Sequence, residues 1–273
     1  MKLGGLWFDK SAKDKQWGFT AAALPRFKKG SDTGVLICHG FGGSPANMRC
    51  LADKAEELGF TYTVPLLRGH AATLGDMAGF GREDWREDVS KAYDELVSAG
   101  CKRIILCGLS MGALLMAELA AKHKEDGRLA GLFIMCPPVR MKAYLNFSAC
   151  IAPLAPYVLT AQGFNSNSDM EMYFGMASRK LWDIIALGKA VKKTASQIKC
   201  PALIIEAERD NRVAPVTYRI LKKRMPTARH IIMLGAPHGI PYSPSAGELT
   251  GIFAEFLEER TAADNEKRGM RNS

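Results

Sequence analysis

Residues 103–120 read RIILCGLSMGALLMAELA, and their reading decides the architecture. Arg103 to Cys107 is a continuous apolar run rich in branched side chains, which predicts a strand covered on both faces. Met111 onward is apolar with helical propensity and predicts a helix over 111–124. Ser110 stands at the junction with a glycine two positions away on each side, Gly108 and Gly112. A turn tight enough to join strand to helix here forces the serine into a crowded backbone conformation. Only residues without a Cβ let the neighbouring chain pass that close.

The same alternation extends in both directions. Apolar runs recur at 35–38, 61–64, 132–136, 202–205 and 229–234. Helical segments are predicted at 45–58, 83–98, 215–225 and 245–259. Ser44-Pro45 supplies a cap and first-turn proline for one of these helices, and Gly59 ends it. Strand and helix in alternation predict an α/β fold, a mostly parallel sheet with helices on both faces. The pattern lapses between 139 and 195, where no strand is evident and methionines and aromatics are frequent. This stretch is read as a mainly helical cap insertion. The core is then 1–138 and 196–260, with 261–273 a disordered tail.

The bulk numbers exclude several function classes. The 273 residues are 47% hydrophobic and 24% charged, an ordinary globular balance. Net charge is +9, but the cations are scattered in small groups such as Lys28-Lys29 and Lys222-Lys223-Arg224. No basic stripe or aromatic-interleaved basic motif suggests nucleic acid, so none is expected as a partner. Seven cysteines occur without CxxC or Cys/His ligand spacing, against a zinc site or redox pair. With no apolar leader segment, this predicts a cytoplasmic protein. Residues 143–168 carry no charge, yet Pro153, Pro156 and several polar residues break them up, so no membrane span is predicted.

In an open α/β sheet the ligand site lies beyond the carboxyl ends of the strands. Ser110 occupies such a place, within a G-x-S-x-G motif and at a helix N-terminus, whose dipole favours a developing oxyanion. A hydroxyl is a weak nucleophile near neutral pH and needs a base within reach. His238, between Pro237 and Gly239 after the last apolar run, is the candidate. A carboxylate should orient that imidazole. Asp210, just past the run Leu203-Ile204-Ile205, is preferred, with Glu206 and Glu208 as competitors. Two backbone amides should meet the oxyanion: that of Met111, and that of Phe41 in the glycine-rich loop CHGFGGSP. His39 is expected to brace this loop and His70 to be structural. His123 and His230 are given no role. DWREDV (84–89) is read as packing and a helix start.

HGFGGSP, RGH (68–70), DWREDV, GLSMG and PHG, in this order, resemble the bacterial carboxylesterase and monoacylglycerol lipase branch of the α/β-hydrolase family. The likeness spans residues 33 to 258. It implies hydrolysis of carboxylic esters through an acyl-enzyme on Ser110, with a helical cap over the pocket and no metal or organic cofactor. The order Ser110, Asp210, His238 is the one expected of that fold. Two positions depart from the pattern: Ala71, where GHG is usual, and Ala113, where a further glycine often follows. The charge-free stretch suits a lid whose underside meets acyl chains, so short- to medium-chain esters or monoacylglycerols are the expected substrates. Thioesterase, amidase or peptidase chemistry would use the same residues, and a non-catalytic binding protein is the remaining alternative. No stable membrane insertion is expected, and a homodimer is admissible.

Overall fold

All six apolar runs become strands of one sheet. The computed structural model describes residues 2–3, 6–8, 10–14, 18–150, 154, 156–160 and 175–269. The chain begins with β1 (Lys2–Leu3), β2 (Leu6–Phe8), β3 (Arg26–Lys28), β4 (Thr33–Cys38), α1 (Arg49–Glu57) and β5 (Thr61–Val64). It continues through α2 (Leu74–Gly79), α3 (Arg82–Ser98), β6 (Arg103–Leu109), α4 (Met111–Lys122), β7 (Leu129–Met135) and α5 (Ala143–Cys150). The remainder is β8 (Tyr157–Thr160), β9 (Gly175–Ala177), α6 (Leu181–Thr194), β10 (Ala202–Arg209), α7 (Val216–Arg224), β11 (Arg229–Pro237) and α8 (Ala246–Gly269).

Seven strands form the main sheet in the order β11-β10-β7-β6-β4-β5-β3. Every neighbouring pair is parallel except β3 against β5. Helix α1 packs with α8, and α3 with α4 and α6, so helices cover both faces. Strand β4 is buried along its whole length, as is β6 after Arg103. That double burial is why these strands read as unbroken apolar runs rather than alternating ones. Phe133 of β7 meets Phe253 and Phe256 of α8 edge-on, with ring centroids 5.1 and 5.6 Å apart. Each buried ring contributes roughly 2–3 kcal/mol, which anchors the helix that follows the His238 loop.

The expectation of no strand between 139 and 195 needs correction. Strands β8 and β9 lie there and join β1 and β2 in a separate antiparallel sheet, ordered β1-β2-β8-β9. A small apolar cluster of Ala12, Leu74, Met77, Leu159 and Ala177 packs beside it. Tyr157 to Thr160 carries suitable strand-forming side chains, but its partner Leu6–Phe8 is far away in sequence, so no local pattern announces the pairing. The rest of the described insertion is mostly helical, in α5 and α6. The expectation for Phe164, Met170, Met172, Tyr173 and Phe174 lies outside the described residues. The unstructured tail is also revised: α8 continues to Gly269, through a segment with no glycine or proline to stop it earlier. Among the described residues no helix is long and apolar enough to cross a membrane.

Candidate active site

Ser110 caps α4 directly after β6 with φ +55°, a left-handed backbone that a residue with a Cβ adopts only under constraint. The glycines on either side make the turn possible. A Cβ on Gly108 would lie 2.5 Å from the Gly112 carbonyl oxygen, and one on Gly112 would lie 2.5 Å from that of His39. The second clash is the more telling. It puts α4's first turn directly against the end of β4, where the glycine-rich loop begins.

Three side chains from the ends of three strands meet here. Ser110 Oγ–H donates to His238 Nε2 at 2.9 Å, and His238 Nδ1–H donates to Asp210 Oδ2 at 2.8 Å. The other Asp210 oxygen accepts from the N–H groups of Arg212 at 2.7 Å and Val213 at 2.9 Å. Asp210 and His238 are both buried. Burial alone would raise the Asp210 carboxyl, but the bonds from His238 and the two amides outweigh it and hold the group below its ordinary value. Burial also pushes His238 down, and the nearby Arg212 adds to this, while the Asp210 carboxylate recovers part of the loss. The pair is therefore a carboxylate beside a neutral imidazole. Such a base can take a proton from the serine.

The competing carboxylates are engaged elsewhere. Glu206 pairs with His230 Nε2 at 3.1 Å, and Glu208 accepts from the Gly235 N–H at 2.7 Å. His230 also stacks on Tyr218, with centroids 5.2 Å apart. Gly40, Phe41, Ser110 and His238 line one cleft. The N–H of Met111 is the first of α4, a position with no intrahelical acceptor. The Phe41 N–H likewise has no protein acceptor among the described residues. Two open donors thus flank the serine.

Residues 35–249 match the model of the Alpha/beta hydrolase family. The chain belongs to that family. This hydrolase is 30% identical over 209 residues to the thermostable monoacylglycerol lipase of Bacillus sp. (strain H-257), covering 74% of this chain and 80% of that protein. It is 26% identical over 208 residues to the carboxylesterase of Bacillus subtilis (strain 168), covering 73% and 80%. A solved structure of metagenome-derived lipolytic enzymes, LipS and LipT, matches with a TM-score of 0.78 at 26% identity, over 88% of this chain and 99% of that one. The monoacylglycerol lipase of Paleococcus ferrophilus shares the fold, with a TM-score of 0.71 at 16% identity, over 87% and 98% of the two chains.

One part of the hydrolase's site goes beyond what its sequence suggests. The DWREDV segment does more than start a helix: its acids clasp Arg68. Asp88 accepts from the Arg68 N–H at 2.8 Å and from its Nε at 2.7 Å, Glu87 pairs at 2.6 Å, and the Asp84 carboxylate lies at 3.2 Å. Trp85 Nε1–H donates to the Arg68 carbonyl at 3.0 Å. This fixes the turn at 67–70, whose Leu67 N–H reaches back to His39. His70 packs edge-on between His39, Phe41 and Trp85. Three acids within one turn and a residue of a single helix, Asp84, Glu87 and Asp88, with an arginine in the preceding loop, were the available signal.

Ala71 lies in the left-handed region at φ +51°, and Ala113 is buried in the first turn of α4. Among the described residues, one group has metal-ligating types together: Cys136, Asp210 and His238, with ligand atoms within 4.8 Å. Its Asp210 and His238 atoms already bond to each other, and burial keeps the Cys136 thiol protonated.

Proposed function

We propose that the protein is a serine hydrolase of carboxylic esters, acting through an acyl-enzyme on Ser110. The observation that carries this reading is the unbroken relay from Asp210 through His238 to Ser110, with bonds of 2.8 and 2.9 Å. His238 takes the Ser110 proton as Oγ attacks the ester carbonyl. The Phe41 and Met111 amides stabilise the tetrahedral oxyanion, where removing one donor typically costs about 10²–10³ in rate. His238 then passes the proton to the departing alcohol. In the second half it activates water to release the acid. This chemistry calls on no metal or organic cofactor.

Its relatives include a monoacylglycerol lipase and a carboxylesterase, which supports acyl esters or monoacylglycerols as substrates; we read the acyl chain as short to medium. Exposed apolar side chains on the insertion, Phe147 at 66% and Leu154 at 86%, suit contact with acyl chains. Seven free cysteines fit a cytoplasmic place of action.

Replacing Ser110 with alanine tests the assignment. Turnover of p-nitrophenyl butyrate and labelling by a fluorophosphonate probe should both disappear while the folded structure persists. Retained turnover by the pure variant would refute it. Rates on p-nitrophenyl esters from acetate to laurate test the substrate class, and a steep preference for acetate counts against medium chains.

A further inference from the structure

Arg212 and Tyr242 line the same cleft as Ser110 and His238. Arg212 is exposed, and its guanidinium makes no ion pair among the described residues. Some other arginines are neutralised: Arg26, Arg68 and Arg86 hold Asp53, Glu87 and Glu118 at 2.8, 2.6 and 2.7 Å. The adjoining backbone brings more positive charge. The Lys142 N–H donates to the Arg212 carbonyl at 2.9 Å, and the Ala214 N–H to the Arg140 carbonyl at 2.9 Å, with Met141 bridged to Val213. Neither Arg140 nor Lys142 has an ionic partner among the described residues. The acid closest in sequence, Asp210, has both oxygens committed to His238 and two amides.

An unpaired guanidinium beside a reaction cleft offers a fixed fork of donors that matches a carboxylate. The surrounding positive charge raises the local concentration of anions. We propose that Arg212 makes this hydrolase select esters bearing a second, anionic group, a carboxylate carried on either the acyl or the alcohol part. The inference rests on the ester-hydrolase reading above and names the substrate class of that site. The anion pairs with Arg212 while the ester carbonyl sits at Ser110. It is bound in both ground and transition states and so appears chiefly in KM.

The test compares substrates of matched length with and without the charge. Monomethyl adipate against methyl hexanoate places the carboxylate on the acyl part, and 4-acetoxybutanoate against butyl acetate places it on the alcohol part. In wild type, kcat/KM favours the anionic member of at least one pair, and added salt erodes the preference. In Arg212→Gln the anionic-to-neutral ratio for that pair falls about tenfold or more. Arg212→Lys keeps part of it. Using the ratio removes any change common to both substrates. A ratio unaltered in both pairs by Arg212→Gln, with wild type hydrolysing the neutral esters, overturns the role of Arg212 and leaves the esterase reading standing. Failure of wild type to turn over any of the four esters or to react with a fluorophosphonate sinks the esterase reading itself.

Discussion

The Leu67 N–H donates to Nε2 of His39 at 3.2 Å, which leaves Nδ1–H of the same ring to donate to the Gly40 carbonyl at 2.9 Å. The buried imidazole therefore ties the 67–70 turn to the loop that presents the Phe41 amide. Replacing His39 with alanine leaves the Leu67 amide without its acceptor, and should cost about 2–3 kcal/mol of stability. It should also lower kcat about tenfold with little change in KM, since the displaced donor acts on the oxyanion. Urea unfolding and steady-state kinetics on one ester check both.

Asp88 acts one step further out. It is largely buried and receives two bonds from Arg68. Asp88→Ala should destabilise by about 1–3 kcal/mol and reduce kcat in the same direction as the His39 change. Glu87, on the exposed side of the same clasp, should matter little when changed to Gln. Equal effects of the two substitutions on unfolding midpoint would contradict this ranking.

The pH–rate profile should report His238. The group must be neutral to accept the serine proton, and its value in the folded protein lies below the ordinary 6.5. The acid limb of kcat/KM therefore has its midpoint below pH 6.5, with a plateau above. Asp210→Asn removes the charge that raises His238, so the limb should move further down while kcat falls on the order of 10³–10⁴-fold. A limb displaced upward would contradict the electrostatics described.

Acid stability should fall through two other histidines. Burial, chiefly, holds His39 down to about 3 and His70 to about 4, against an ordinary 6.5. Below pH 6.5 the unfolded chain takes up protons that the folded rings refuse, so stability declines as pH drops and levels off once pH passes below the folded values. Each ring contributes a slope of about 1.4 kcal/mol per pH unit within that window. His70→Asn should remove one such contribution. Urea midpoints measured from about pH 6.5 down to 4.5 would display the shallower slope.

Ala71 offers a stabilising change. Its left-handed backbone costs an alanine about 1–2 kcal/mol, whereas glycine adopts it freely but loses about 0.5–1 kcal/mol through greater freedom when unfolded. Ala71→Gly should therefore gain about 0.5–1 kcal/mol. A lower thermal midpoint for the variant would show that the alanine methyl packs usefully.

Much of this molecule was legible because burial on both faces writes itself into a strand. β4 to β7, β10 and β11 all coincide with apolar runs, and Ser110, Asp210 and His238 each follow one of those strands. What escaped had no local signature. The β2–β8 pair joins residues at opposite ends of a long separation, and β3, Arg26-Phe27-Lys28, is an edge strand with charges at both ends. The Arg68 clasp was hidden for a related reason: acids on a helix look like a solvated face until the loop folded against them is known.

The small sheet has a consequence for how the chain is made. Leu6 pairs with Thr160 and Phe8 with Val158, about 150 residues later. During vectorial synthesis the β1–β2 pair must wait for β8 until most of the main sheet has emerged from the ribosome. Their docking is thus a late event that closes the insertion onto the core. A bulky fusion upstream of Lys2 would load that closing step, while the same fusion after α8 would spare it.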